Sequence, residues 1–342
     1  MLSSNDVARC ERWFDENGLP YFVEQRHEAI QRALGGRVVA LWSGIIAAVG
    51  AAAFVCGQLA GLDTFTALLV GVQVAFLVAV VRGIVVFDVG AIAGWAAQHA
   101  WESRRLVRPL VTRALPFLLL FITFLFINTE VWQVASSLSR PQLLGALGAF
   151  TLLAVAFLWP SFAGEIERLG VEVDGAQLAQ TCAGTPVASA AVEIAAEPTL
   201  AREVAGIRLP RLQRSNLMLM LFITQAIQLV LVALVVFGFF CLFGSLVIRP
   251  SVIVAWTGSP PQYTGPLHLV SDELFAVAVF LSGFAGLYFT VQAVIDQNYR
   301  REFFHHIEDD LQRAIGVRKV YTALRMHLAE APSAPQASAE EA

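Results

Sequence analysis

Three groups of polar residues have types and spacing that could do chemistry. The first is Asn128, Thr129 and Glu130, set inside a long apolar run. An amide, a hydroxyl and a carboxylate in succession could bind a cation or line the outer vestibule of an ion or small-solute path. The plainer reading puts Glu130 at the membrane interface beside Trp132, accepting a hydrogen bond from another helix. The second group is Gln73, Gln225 and Gln228, of which Gln225 and Gln228 share a helix face at i, i+3. They read either as a polar lining for a solute path or as interhelical contacts worth about 0.6 kcal/mol each. The third group is His305, His306, Asp309 and Asp310, two His–Asp pairs at i, i+4. That spacing suits a metal, but the pairs lie on adjacent faces, and Glu308, Arg300 and Arg301 complete an ordinary solvated surface. No metal and no cofactor is expected.

These residues must be positioned by membrane helices. Of 342 residues, 57% are hydrophobic and 15% charged, where soluble domains carry about 25% charged residues. A spanning helix needs about 20 apolar residues to cross about 30 Å of hydrocarbon. Six stretches qualify, at 38–60, 64–86, 115–136, 142–159, 217–248 and 274–295. The expected fold is an all-α polytopic membrane bundle of six transmembrane helices. At about 1.5 Å per residue, Glu130 falls ~22 Å along the third span, in the outer third of the hydrocarbon, and the three glutamines fall near its middle.

Arginine placement sets the orientation, because basic residues collect on the cytoplasmic side. Under a six-span count, 21 of the 23 basic residues fall on one side, and only Arg140 and Arg249 on the other. Both termini are therefore expected in the cytoplasm, and an odd number of spans would scramble the partition. Net charge is −4 with the basic residues scattered, so no nucleic-acid partner is expected. What precedes the first apolar run is charged and amphipathic, unlike a cleavable signal.

Outside the spans, residues 1–37 read as cytoplasmic N-terminal helices, with a break at Asn17-Gly18-Leu19-Pro20. An interfacial helix is expected near 88–113. Residues 160–216 form a cytoplasmic loop that reads as too small and apolar-poor for a core of its own. After the last span, 296–330 forms an amphipathic cytoplasmic helix, and 331–342 is an Ala/Pro/Ser/Glu-rich disordered tail. Phe303, Phe304, Ile307 and Leu311 on that helix are the candidate partner-binding residues. Gly145, Gly148, Ser282, Gly283 and Gly286 permit close helix approach, either within one protomer or at a homo-oligomer seam. The four cysteines show no pairing or metal-ligand spacing.

The run Leu115-Pro116-Phe117-Leu118-Leu119-Leu120-Phe121, followed by Phe126-Ile127-Asn128-Thr129-Glu130-Val131-Trp132-Gln133, resembles a group of multispanning integral membrane proteins of actinobacteria. Glu11-Arg12-Trp13-Phe14 with Gly18-Leu19-Pro20, Arg211-Leu212-Gln213-Arg214-Ser215-Asn216-Leu217 with Thr224-Gln225, and Trp256-Thr257-Gly258 fit the same group. The resemblance implies a multi-pass protein of a bacterial plasma membrane and carries no activity with it.

Several enzyme classes are excluded by their missing motifs. The chain has no GK[ST] phosphate loop, and neither HExxH nor GxSxG occurs. The expectation is a non-enzyme whose partners are the bilayer and a second copy or another membrane protein. The first reading is a non-catalytic scaffold or subunit of a membrane assembly. The alternative is a channel or facilitator with its vestibule at Asn128 and Glu130.

Overall fold

A computed structural model describes residues 4–102, 115–172, 177–263, 269–295 and 297–330. Among these residues the secondary structure is helical, with no strand. In chain order the elements are α1 (Ser4–Glu16), a 3-10 turn (Pro20–Phe22), α2 (Glu24–Ala33), α3 (Gly36–Leu59), α4 (Thr64–Val86) and α5 (Val89–Glu102). Then come α6 (Leu115–Phe126), α7 (Thr129–Ser137), α8 (Arg140–Glu172), α9 (Leu178–Thr181), α10 (Ala188–Ala196) and α11 (Pro198–Ala205). The last four are α12 (Arg211–Val247), α13 (Pro250–Thr257), α14 (Asp272–Ile295) and α15 (Gln297–Glu330).

Among the described residues, five helices are long and apolar enough to cross a membrane, and a sixth span is made if the bent pair α6–α7 counts as one. The third apolar stretch is thus not the continuous helix the sequence suggested. It turns by 78° between α6 and α7. The fourth stretch also differs, because α8 continues through Pro160 to Glu172. Proline there denies the Ala156 carbonyl its helical N–H, a loss that membrane helices tolerate when neighbours supply compensation. Of the interfacial helix expected near 88–113, α5 covers the part to Glu102, and residues 103–113 lie outside the described residues.

The chain divides into two compact units. The larger comprises Glu28–Ala163 and Met218–Phe304. Its core is Leu118, Ile122 and Phe126 of α6, Trp132 of α7, Val236 and Phe240 of α12, Ile253 of α13, and Val277, Leu281 and Phe289 of α14. Helix α14 packs against α6 and α7, and half of its apolar window is buried, which makes it the central element. By contrast α3 and α4 form a hairpin of which almost nothing is buried. Gly61 makes the turn at φ +82°, a conformation glycine adopts without strain, and Asp63 caps α4 by accepting from the Thr66 N–H at 3.1 Å. The hairpin closes where Gly50 meets Gly71: a Cβ built on Gly71 would stand 2.8 Å from the Gly50 carbonyl oxygen. The sequence reading singled out neither glycine.

The smaller unit draws on Met1–His27, Gly164–Leu217 and His305–Ala342. The loop that looked too poor in apolar residues for its own core shares one with both ends of the chain. Phe14 packs edge-on to Tyr321 at 5.9 Å and against Phe22 at 5.3 Å. Leu178, Cys182, Val187, Ile194, Val204, Leu311 and Ile315 are buried with them. Asn216 holds the turn before the 3-10 segment, accepting from the Tyr21 N–H at 3.0 Å and donating to the Gly18 carbonyl at 3.1 Å. Gly316 lets α15 approach α9, since a Cβ there would meet Cys182 Sγ at 3.2 Å.

Candidate functional site

Asn128 is a helix cap. Its backbone is extended, and its side-chain oxygen accepts from the Glu130 N–H at 2.7 Å and the Val131 N–H at 3.3 Å. This satisfies two of the free N–H groups that every helix start presents. The end of α6 is completed from the other direction, where Trp132 Nε1 donates to the Phe126 carbonyl at 2.7 Å. Glu130 stands exposed in the first turn of α7, where a carboxylate is favoured by the helix dipole. The three polar residues are therefore gathered by a helix start, and the reading of Glu130 as a point on one straight span is corrected by the bend. Next to this start the core is aromatic: Phe126 stacks on Phe240 at 4.6 Å, and Trp132 meets Trp256 at 5.3 Å.

The glutamines do not form one constellation. Gln73 bridges two helices, its Nε2 donating to the Pro141 carbonyl at 2.7 Å. Gln225 and Gln228 are buried on α12. Among the described residues, both amide atoms of Gln225, and Oε1 of Gln228, have no hydrogen-bond partner. A buried polar group left unpaired costs about 1–3 kcal/mol, so Gln225 is the outlier of the bundle. It lines a groove of about 520 Å³ between α8, α12 and α14 whose other walls include Leu147, Phe150, Leu158, Phe222 and Leu229.

Gly145, Gly283 and Gly286 pack within the chain. A Cβ on Gly145 would meet Leu69, one on Gly283 would meet Leu147 and one on Gly286 would meet Leu229, whereas Gly148 faces open space. Ser282 donates to the Ala278 carbonyl of its own helix.

On α15 the candidate partner surface changes character. Leu311 is 1% exposed and sits in the core of the smaller unit, so it is not free to dock a partner. The side chains of Phe303, Phe304, Ile307, His305 and His306 lie outside the described residues. Asp310 reaches Arg313 at 4.0 Å. Among the described residues no three His, Cys, Asp or Glu side chains converge on a metal position.

The smaller unit holds a second cavity of about 500 Å³, lined by Ile166, Glu167, Arg208, Arg214 and Lys319 among others. Lys319, the sole lysine of the chain, is 2% exposed and donates to the Ala205 carbonyl at 3.1 Å. That carbonyl ends α11, where a cation is favoured. Burial pushes the Cys182 thiol up to about 12 against the pull of Arg313, so it is an inert core group. Burial and the neighbouring Glu11 carboxylate likewise raise Tyr321.

What this arrangement offers chemically is an unpaired amide in an apolar groove, a capped helix break and a second, separately packed helical unit. No family model matches the chain, and neither a curated protein nor a solved structure matches it.

Proposed function

We propose that the chain is a non-catalytic scaffold, or subunit, of a membrane assembly, set in a bacterial plasma membrane by six spans with both termini cytoplasmic. The observation that carries this reading is the smaller unit, in which both ends of the chain and the loop between spans four and five share one core around Phe14, Cys182 and Tyr321. Its known chemistry is structural: hydrogen bonds to Asn216 and Lys319 and an unreactive thiol. Asn128 caps a helix beside a filled aromatic core, which lends a vestibule at Asn128 and Glu130 no support. The cytoplasmic placement rests on the arginine partition, and the bacterial setting on the resemblance of the third span.

Val192 of α10 is 57% exposed on this unit, so a charge placed there would probe that face without disturbing the core. The test is co-purification from membranes with the unmodified chain and with Val192→Asp. The scaffold reading expects a reproducible partner whose recovery falls severalfold with the variant while the protein remains folded. Recovery of the chain without any other subunit, combined with ion flux in reconstituted vesicles, would support the channel reading instead.

A further inference from the structure

We infer that the groove between α8, α12 and α14 binds a single-chain lipid whose uncharged head carries a hydroxyl, with Gln225 as its polar anchor. This goes beyond the scaffold reading and does not depend on it. Gln225 is 1% exposed, lines the groove and has both amide atoms unpartnered. The other polar side chains of the lining are engaged: Thr151 donates to the Leu147 carbonyl at 2.9 Å, and Ser282 donates to that of Ala278. Among the described residues, everything else facing the groove is hydrocarbon or glycine, and no titratable group lines it.

That lining specifies the occupant. A charged head would enter with no counter-charge, so the head is neutral. An amide presents donors and an acceptor together, so the matching head must both accept and donate. A hydroxyl does this, on a long-chain alcohol or a protonated fatty acid. An ester only accepts, and an alkane does neither. The volume of about 520 Å³ lies within the range of about 300–1,000 Å³ typical of small-molecule sites. Val230 and Leu234 on the rim are exposed, which leaves the groove open to a lipid arriving from the bilayer. Gly283 and Gly286 form part of its wall, where a Cβ would run into Leu147 or Leu229.

The test uses the full chain in nanodiscs with a photoreactive long-chain alkanol as probe, the labelled peptides being mapped. Labelling is expected on α8, α12 and α14. Plain alkanol should compete at least about fivefold better than the methyl ester of matched length, the worth of one hydrogen bond. A fatty acid should compete only at a pH low enough to protonate it. Gln225→Leu should bring alkanol and ester to equal potency, and should it fail to fold, the ranking on the unmodified chain still decides. Uniform labelling that includes α3 and α4, or equal competition by ester and alkanol on the unmodified chain, would overturn the inference and leave ordinary acyl chains as the occupant. Competition by the ionised fatty acid would overturn the neutral head.

Discussion

Asn128, Gln225 and Cys182 each have a consequence that can be measured. Asn128→Ala removes the acceptor for two N–H groups and should lower stability in detergent by about 1 kcal/mol, read as a lower thermal midpoint. Glu130→Gln should cost less than that cap substitution, and leave any ion dependence of the protein unchanged, because its carboxylate is exposed. A large loss for Glu130→Gln with none for Asn128→Ala would contradict the cap. In the lipid-free protein Gln225→Leu should raise the midpoint, since it removes an amide that has no partner. Cys182 makes a pH prediction. Its folded thiol is held neutral up to about 12, against an ordinary value of 9.0. Its contribution is therefore complete below pH 9 and is lost as pH rises toward 12, because the unfolded thiol ionises first. Cys182→Ala should flatten that part of the stability profile. The cap was legible in Asn-Thr-Glu, a helix-start signal. Apolar residues on both sides masked it, because hydropathy counts a span without seeing a turn inside it.

Among the elements, the hairpin α3–α4 depends on two glycines that composition alone does not distinguish from the others. Gly71→Ala would push a Cβ against the Gly50 carbonyl, a backbone atom that cannot rotate away. It should destabilise the chain by about 1–3 kcal/mol as overpacking does. Gly44→Ala, where nothing lies within 4 Å, is the matched control and should be nearly neutral. The positions of the long helices were legible because hydrocarbon thickness dictates their length. Their partners were not, since Gly50 meets Gly71, and Gly283 meets Leu147, only after the helices have chosen faces. Hydropathy marks the apolar part of span four and not the end of its helix. The apolar stretch ends at residue 159, yet α8 passes through Pro160 to Glu172.

For the whole molecule, the smaller unit was the part least visible in advance. Each segment reads as a weak amphipathic piece, and the core exists only when residues as distant as Phe14, Cys182 and Tyr321 come together. Lys319→Met should test that unit. It leaves the Ala205 carbonyl without its charged donor and should cost about 1–3 kcal/mol. The proposed orientation is tested with single cysteines. Ser139→Cys should react with a membrane-impermeant maleimide in intact cells, and Thr199→Cys only after lysis; the reverse pattern would invert the topology. The scaffold proposal itself is tested most directly by the mass of the particle taken from the membrane in native nanodiscs. A reproducible protein mass that is not a whole multiple of the 37.1 kDa chain is expected, because another subunit is bound. A particle made only of whole copies of this chain, which passes ions when reconstituted, would contradict it.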